Sequence, residues 1–195
     1  MPAKPVSREL VDGRRQRGEV SRERIVRAML ERLAEGDIAP SAEAVAARAG
    51  VGLRTVFRHF DNMESLYQEI NAKMAAEIEP MWRRPFIADD WRGRILEIIE
   101  RRVAIFERIM PFRIAADVHA HRSPFLAAEA ARMLREQRTA LAAVLPADVD
   151  PLLLESLDLL LSFDTWRRLR KGQQLPSPGA RTVLERLVGD VLAAG

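Results

Sequence analysis

The chain has 195 residues, a length that fits one large domain or two small ones. Hydrophobic residues make up 48% of it and charged residues 30%, and this hydrophobic fraction is enough to build a globular core. The absence of cysteine excludes disulfides, thiolate zinc sites and thiol nucleophiles. No apolar run reaches the roughly 18 residues of a membrane span, and the first 20 residues lack the apolar centre of a secretory signal, so we expect a cytoplasmic protein without a membrane partner.

The N-terminal segment is the most basic part of the chain. The whole sequence has a formal net charge of only +3, whereas residues 1–27 contain eight basic and four acidic side chains. Such a segment on a weakly basic protein indicates a polyanionic partner at this end, although a solvated tail has the same composition. We expect residues 1–20 to form a flexible basic arm.

Beyond the arm, apolar positions recur three and four residues apart, and no stretch alternates strictly, so the sequence predicts an all-α protein. The predicted helices, separated by prolines and glycines, cover 21–35, 41–48, 52–59, 63–80, 90–109, 111–120, 124–144, 151–171 and 178–193. Ser21 and Ser41 occupy N-cap positions. Because the short helices come first, we predict a small N-terminal module at 21–67 and a larger helical bundle at 68–195.

The most informative segment runs from Ser41 to Phe60 and reads SAEAVAARAGVGLRTVFRHF. Its two short helices are joined at Gly50, a residue that readily adopts the positive φ of a sharp turn. Two such helices form a helix-turn-helix, whose second helix can enter the major groove of DNA because that groove admits one helix. The alternative is a helical hairpin with a solvated, charged face.

The second helix of this pair divides into two faces, with Val56 and Phe60 directed inward. Its outward side presents Leu53, Arg54, Thr55, Arg58 and His59. Arg54 and Arg58 are four residues apart, so both can face DNA together. An arginine fork can donate to two acceptors on guanine, and this contact provides about 1–3 kcal/mol of discrimination.

Residues 21–67, SRERIVRAMLERLAEGDIAPSAEAVAARAGVGLRTVFRHFDNMESL, resemble the DNA-binding domain of TetR-family transcriptional regulators. The resemblance is densest at Ala49-Gly50-Val51, Thr55, His59-Phe60 and Glu64-x-Leu66. It implies a three-helix DNA-binding domain followed by a bundle for effector binding and dimerisation. It also implies that the DNA-contacting residues are Ser41, Leu53, Arg54, Thr55, Phe57, Arg58 and His59.

Three positions depart from the family pattern. Gly52 stands where a serine often caps the recognition helix, Phe57 where a tyrosine often contacts phosphate, and Met63 where a lysine commonly contacts the DNA backbone. Arg54 and Arg58 can compensate for the lost contacts. In the arm, Arg14, Arg15 and Arg17 can contact phosphates or enter an adjacent minor groove. The alternative is that the arm remains a solvated tail.

The large apolar side chains of residues 68–195 either form the bundle core or line a cavity. The resemblance implies that this domain binds a small effector, and ligand sites combine apolar walls with a few polar groups. The candidate pocket residues are Trp82, Trp91, Phe106, Met110, Phe112, Arg113, Asp117, His121, Phe125 and Phe163. Asp117 and His121 are four residues apart and are also placed to pair with each other.

The last two predicted helices carry broad apolar stripes, which are typical of either an internal core or a dimer face. One helix-turn-helix contacts few base pairs, and a two-fold dimer doubles the contacts on a palindrome. The resemblance further implies a four-helix interface in a homodimer. The predicted interface residues are Leu157, Leu161, Trp166, Leu184, Leu187, Val188 and Val191.

Neither an enzyme nor a metal or cofactor site is predicted. There is no nucleophile motif or phosphate-binding glycine loop, and His119 points away from Asp117 and His121 at helical spacing, so three ligands cannot converge from one helix. The predicted function is regulation of transcription, as a repressor that a small-molecule effector releases from a palindromic operator. The alternatives are an activator of the same family and a helical small-molecule carrier without DNA binding.

Overall fold

A computed structural model describes the backbone of residues 8–194 and the side chains of residues 16–193. Within these ranges the chain is all-α and contains no strand, as predicted. The helices are α1 (Arg8–Ala34), α2 (Ala42–Ala49), α3 (Leu53–His59), α4 (Met63–Arg83), α5 (Trp91–Ala120), α6 (Pro124–Ala142), α7 (Pro151–Leu160), α8 (Phe163–Arg167) and α9 (Ser177–Ala194), with a π-helical turn at Arg168–Gly172. No helix in the described part combines the length and apolar character needed to cross a bilayer.

Helix α1 begins at Arg8, well before the predicted start at residue 21. Ser21 is therefore not an N-cap: it lies inside the helix, and its hydroxyl donates to the carbonyl of Arg17 at 3.0 Å, a bond that serine commonly forms within helices. No proline interrupts residues 8–20, so the helix can continue backwards through them. The side chains of Arg14 and Arg15 and all of residues 1–7 lie outside the described residues, and the DNA-binding arm stays a prediction.

Helix α5 is continuous where the sequence predicted a break. Pro111 lies inside it and removes one backbone hydrogen bond, at a cost of about 3 kcal/mol. The neighbouring Met110 and Phe112 are buried, and burial of each such side chain contributes about 1.5–3 kcal/mol. Apolar burial on both sides of the proline therefore offsets the local preference for a helix end.

The helix predicted at 151–171 is divided by Ser162. Helix α7 ends at Leu160, and the Ser162 hydroxyl then accepts a hydrogen bond from the backbone N–H of Thr165 at 3.1 Å, which caps the start of α8. A single turn of π-helix follows, a form that occurs mostly as one-turn segments. The predicted long helix is thus two short helices joined at a cap.

The chain divides into two compact units. The first unit comprises Met1–Lys73 and Pro111–Ser123, and the second comprises Met74–Met110 and Pro124–Gly195. The boundaries in sequence fall within α4, within α5 and just before α6, so α4 and α5 each contribute residues to both units. The domain division at residue 67 stays a prediction.

The core of the second unit contains side chains that the sequence assigned to a dimer interface. Leu157, Leu161, Trp166, Leu184 and Val188 are all buried within the single chain. They present no surface to a partner, because the inward sides of α7, α8 and α9 pack on their own unit. Of the predicted interface residues, Leu187 is 40% exposed and Val191 is partly exposed.

Candidate nucleic-acid interface

Helix α2, which leads into the turn before α3, is capped at both of its ends. Ser41 caps the start, where its hydroxyl accepts a hydrogen bond from the N–H of Ala44 at 3.2 Å. At the other end Gly50 has φ of +62°, and the Val51 N–H donates to the Ala46 carbonyl at 3.0 Å, as in a Schellman motif. The helix-turn-helix geometry therefore follows from local sequence, as predicted.

Helix α1 fixes the same turn through Arg24. From the sequence alone, Arg24 was only one of the cations of the basic segment 1–27. Its guanidinium Nη2 donates to the carbonyl of Ala49 at 2.6 Å. This bond satisfies one of the free carbonyls at the end of α2. Arg24 is thus engaged within the protein, and the basic character of residues 1–27 overstates the charge available to DNA.

Gly50→Ala is expected to lower the free energy of unfolding by about 1–2 kcal/mol, because a side chain is strained in the left-handed region. A Cβ here would also lie 2.9 Å from Nη2 of Arg24 and displace it. Gly50→Asn is the matched variant, since it adds the same Cβ but tolerates positive φ better, and it should lose less in urea unfolding followed by circular dichroism. An equal loss in both variants would assign the cost to Arg24 rather than to φ.

Helix α3 presents one continuous outward surface. Val56 and Phe60 are buried, as predicted, while four side chains are exposed. These four, which we call the α3 face, are Leu53, Arg54, Phe57 and Arg58. They form two pairs spaced by four residues, so one cationic and one apolar stripe lie side by side on the helix.

The two arginines of the α3 face have no partner among the described residues. Other arginines of the first unit do: Arg32 contacts Asp37 at 2.6 Å, and Arg48 pairs with Glu35. Arg54 and Arg58 are therefore exposed cations that no carboxylate among residues 16–193 neutralises. Such groups are available to phosphate oxygens or to base edges.

Thr55 and His59, which the sequence also assigned to DNA, are only partly exposed. The His59 ring lies close to Gly18 of α1, and its Nε2 is buried without a hydrogen-bond partner. Burial lowers the pKa of His59, and the positive charges of Arg58 and Arg22 lower it further. A neutral imidazole with one shielded nitrogen adds no charge to the α3 face.

Arg22 of α1 is a structural residue that the sequence reasoning missed. Its Nη1 donates to the carbonyl of His59 at 2.9 Å, and its Nη2 donates to the carboxylate of Glu69 at 2.8 Å. The guanidinium also lies 4.5 Å from the ring centroid of Phe60. It thus joins α1 and α4 to the end of α3, and only long-range contacts could have revealed this role.

Arg22→Met is expected to lower the free energy of unfolding by about 1 kcal/mol near neutral pH, since it removes a partly exposed ion pair and a bond to a carbonyl. The hydrogen bond from Arg22 lowers the pKa of Glu69. The ionised carboxylate therefore contributes stability above its ordinary pKa, and this contribution is lost as the pH falls through the lowered value. The difference from wild type should shrink at low pH.

Urea unfolding at about pH 7 and about pH 3.5 measures this difference. Arg27→Met, which removes an exposed arginine of the same helix, is the control and should change little at either pH. A loss from Arg22→Met that stays constant with pH would mean that packing on Phe60, rather than the pair with Glu69, supplies the stability.

The residues predicted to line an effector pocket are divided between the two units. Four of them belong to the first unit: Phe112, Arg113, Asp117 and His121. Among these, Arg113 Nε donates to Asp117 at 2.9 Å, and His121 is exposed. The other six belong to the second unit: Trp82, Trp91, Phe106, Met110, Phe125 and Phe163.

Within the second unit, Phe106 and Phe163 are buried and meet edge to face with ring centroids 5.6 Å apart. A cavity of about 310 Å³ lies near the end of α4, the loop after it and the middle of α5. Of the predicted pocket residues, Trp82 lines this cavity. The sequence did not single out Arg101 and Arg102, which also line it, because two adjacent arginines resemble a solvated helix face.

The segment that contains the helix-turn-helix is similar to a known protein family. Residues 25–70 match the family described as bacterial regulatory proteins, tetR family. Two solved structures, both from Rhodococcus sp. RHA1, are similar. A transcriptional regulator has a TM-score of 0.67 at 22% identity, with 89% of this chain and 96% of that chain covered. A TetR transcriptional regulator has a TM-score of 0.48 at 15% identity, with 91% and 98% covered. No curated protein matches the sequence.

Proposed function

We propose that this chain, whose residues 25–70 match the tetR family of bacterial regulatory proteins, represses transcription as a homodimer on a palindromic operator and is released by a small-molecule effector. The observation that carries the proposal is the α3 face, with its two exposed and unpartnered arginines. A solvated hairpin face ordinarily alternates charges of both signs, whereas this face carries positive charge alone.

The chemistry of the α3 face suits the major groove. Arg54 and Arg58 can each donate two hydrogen bonds to O6 and N7 of guanine, and the exposed rings and methyl groups of Phe57 and Leu53 can contact the methyl group of thymine. Ser41 lies at the start of α2, where free backbone N–H groups and the helix dipole favour a phosphate. One helix thus reads bases while another helix sets its position.

Exposed leucines on α7 and α9 support a dimer. Leu152 and Leu159 are each 69% exposed and are seven residues apart, so they share one side of α7. Leu187 and Val191 share one side of α9 at a spacing of four, and α7 packs against α9. We assign the homodimer contact to this surface, which keeps Leu187 and Val191 of the predicted interface and leaves out its buried members.

Effector release requires a ligand that prefers a conformation with weaker DNA binding, and DNA must then weaken ligand binding by the same factor. Helix α4 is a candidate for this coupling, because its first turns belong to the first unit and Trp82 near its end lines the cavity. A coupling free energy of about 1–3 kcal/mol corresponds to a 5- to 150-fold change in affinity.

Selection of binding sites from random duplex DNA tests the proposal. The expected result is a palindrome whose half-site centres are about one helical turn apart or slightly more, with two chains per duplex. A reporter with this operator across its promoter then distinguishes a repressor from an activator by the sign of the change. Failure to enrich any sequence would contradict DNA binding and favour a small-molecule carrier.

Leu159→Asp is expected to shift the protein from dimer to monomer, because it places a charge in an apolar interface between copies. Analytical ultracentrifugation measures the change. Leu96→Asp is the matched control, since Leu96 is an exposed leucine of α5 outside the proposed interface, and it should remain dimeric. A dimer that persists in Leu159→Asp would place the interface elsewhere.

A further inference from the structure

The α3 face carries two adjacent apolar side chains beside its two arginines. Leu53 is 37% exposed and Phe57 is 46% exposed, and their spacing of four places them side by side on the helix. Single exposed apolar side chains are common on protein surfaces. The other exposed large ones among the described residues of the first unit lie on three separate segments, at Val20, Ile38 and Val118. The pair on α3 therefore indicates a ligand that offers apolar groups as well as hydrogen-bond acceptors.

The apolar pair lies at the end of α3 that meets base edges. A recognition helix contacts bases mainly through its N-terminal residues, and Leu53 is the first residue of α3. Arg54 precedes Phe57 by three residues, so these two side chains are also neighbours on the helix surface. A guanidinium donates to O6 and N7 of guanine, and an apolar side chain contacts the methyl group at C5 of thymine. The two kinds of contact thus occur next to each other.

The side chains of α3 offer few other means of reading a base. The helix reads LRTVFRH and contains no carboxylate and no carboxamide. Carboxylates accept from the N4 amino group of cytosine, and carboxamides recognise N6 and N7 of adenine. Thr55 is partly exposed, but its hydroxyl both donates and accepts and so does not separate an amino group from a carbonyl. On α3, recognition of a pyrimidine therefore depends on the apolar contact.

An apolar contact senses the methyl group and not the rest of the pyrimidine. Thymine and 5-methylcytosine carry the same methyl group at C5 in the major groove, and they differ at C4, where thymine has a carbonyl and 5-methylcytosine an amino group. Leu53 and Phe57 form no hydrogen bond with either C4 group. Such a surface binds both methylated bases and discriminates against cytosine and uracil.

We propose that Leu53 and Phe57 recognise the C5 methyl group of a pyrimidine in each half-site and accept 5-methylcytosine in place of thymine, so that methylation of an operator cytosine strengthens binding. The inference rests on the DNA binding of the proposed function, but not on repression or on an effector. Burial of one methyl group changes the affinity about fourfold per half-site and about 15-fold for both half-sites of a homodimer. Methylation of DNA is then an input to this protein that is separate from any small molecule.

The first test is a gel-shift titration of the full chain on the selected operator. Each thymine is replaced in turn by deoxyuridine at the equivalent position of both half-sites, a change that removes only the methyl group. At one position or more the affinity should fall about 15-fold. Equal affinity for thymine and deoxyuridine at every position, or a selected half-site without thymine, would overturn the proposal.

The second test exchanges the base pair at the position that responds most strongly. A C·G pair in place of T·A should weaken binding by about 15-fold or more, and 5-methylcytosine in that C·G pair should restore the affinity to within about threefold of the original operator. If 5-methylcytosine bound as weakly as cytosine, the protein would be reading O4 of thymine or its adenine partner, which contradicts recognition through the methyl group.

The double variant Leu53→Ala/Phe57→Ala should bind the thymine and deoxyuridine operators with equal affinity, because it lacks the side chains that contact the methyl group. The ratio of the two affinities is informative, since a folding defect weakens both complexes alike. Val118→Ala truncates an exposed apolar residue of the first unit outside the helix-turn-helix, and it should keep the ratio of about 15. An undiminished ratio in the double variant would contradict the assignment to α3.

These outcomes separate the inference from the proposed function. An operator that is bound equally tightly with and without its C5 methyl groups would overturn the inference and leave DNA binding intact. Failure to enrich any sequence from random DNA would overturn both.

Discussion

Arg58→Ala is expected to weaken binding to the selected operator by about 2–6 kcal/mol in the homodimer, because each of two subunits loses a base contact that provides about 1–3 kcal/mol. Arg54→Ala should have an effect of similar size. Both side chains are exposed and make no ion pair or hydrogen bond within the described part of the chain. Their removal should therefore change the free energy of unfolding by no more than about 0.5 kcal/mol.

Gel-shift titration on the operator and on unrelated duplex DNA, over a series of salt concentrations, measures this effect. Loss of a base contact relaxes specificity at one position of each half-site, whereas loss of a phosphate contact weakens binding to all sequences and lowers the salt slope by about one per contact. Arg122→Ala, which removes an exposed arginine of the first unit outside the helix-turn-helix, is the control. If Arg122→Ala weakened operator binding as much as Arg54→Ala or Arg58→Ala, the α3 face would contribute only nonspecific electrostatic attraction.

Trp166→Ala is expected to lower the free energy of unfolding by about 3–5 kcal/mol, the usual cost of truncating a buried aromatic side chain. Trp166 is 0% exposed, and its indole N–H donates to Glu107 at 2.8 Å. Glu107 also accepts a hydrogen bond from Arg170 Nε at 2.7 Å, so its carboxylate keeps one partner when the indole is removed. The loss therefore reports mainly the cavity left in the core of the second unit.

Chemical unfolding at two protein concentrations distinguishes core from interface. A core residue destabilises the chain by the same amount at both concentrations, whereas a residue at a dimer interface gives a concentration-dependent loss. Trp91→Ala is the comparison. Trp91 is only partly buried, so its truncation should lower the free energy of unfolding less than that of Trp166. A concentration-dependent loss in Trp166→Ala would restore Trp166 to the dimer interface that its sequence pattern suggested.

The helix-turn-helix could be predicted because its determinants are close together in sequence. Ser41 caps a helix that begins one residue later, Gly50 permits a turn at its own φ, and Arg54 and Arg58 share a helix face through a spacing of four. The inward direction of Val56 and Phe60 follows from the same period. Each relation spans only a few residues, so no knowledge of distant packing was needed.

Other features depend on partners that are far away in sequence. Arg22 pairs with Glu69, and Arg102 donates to the carbonyl of Gln137 in α6 and to that of Leu161, next to the end of α7. Nothing in the local pattern around an arginine tells whether it meets water, a carboxylate or a carbonyl. From the sequence alone, Arg22 was therefore assigned to a basic segment, and Arg101 and Arg102 were not predicted to line a cavity.

The sequence by itself determined that this protein is helical and that a helix-turn-helix with an arginine-bearing outer face lies near its N-terminus, because hydrophobic period, capping and turn chemistry are local. Only the tertiary structure decided that Leu157 and Trp166 belong to the core while Leu159 faces outward. On α7 both sides are rich in leucine. Which side is buried depends on the helices packed against it, and the residue pattern within one helix does not determine where those helices lie.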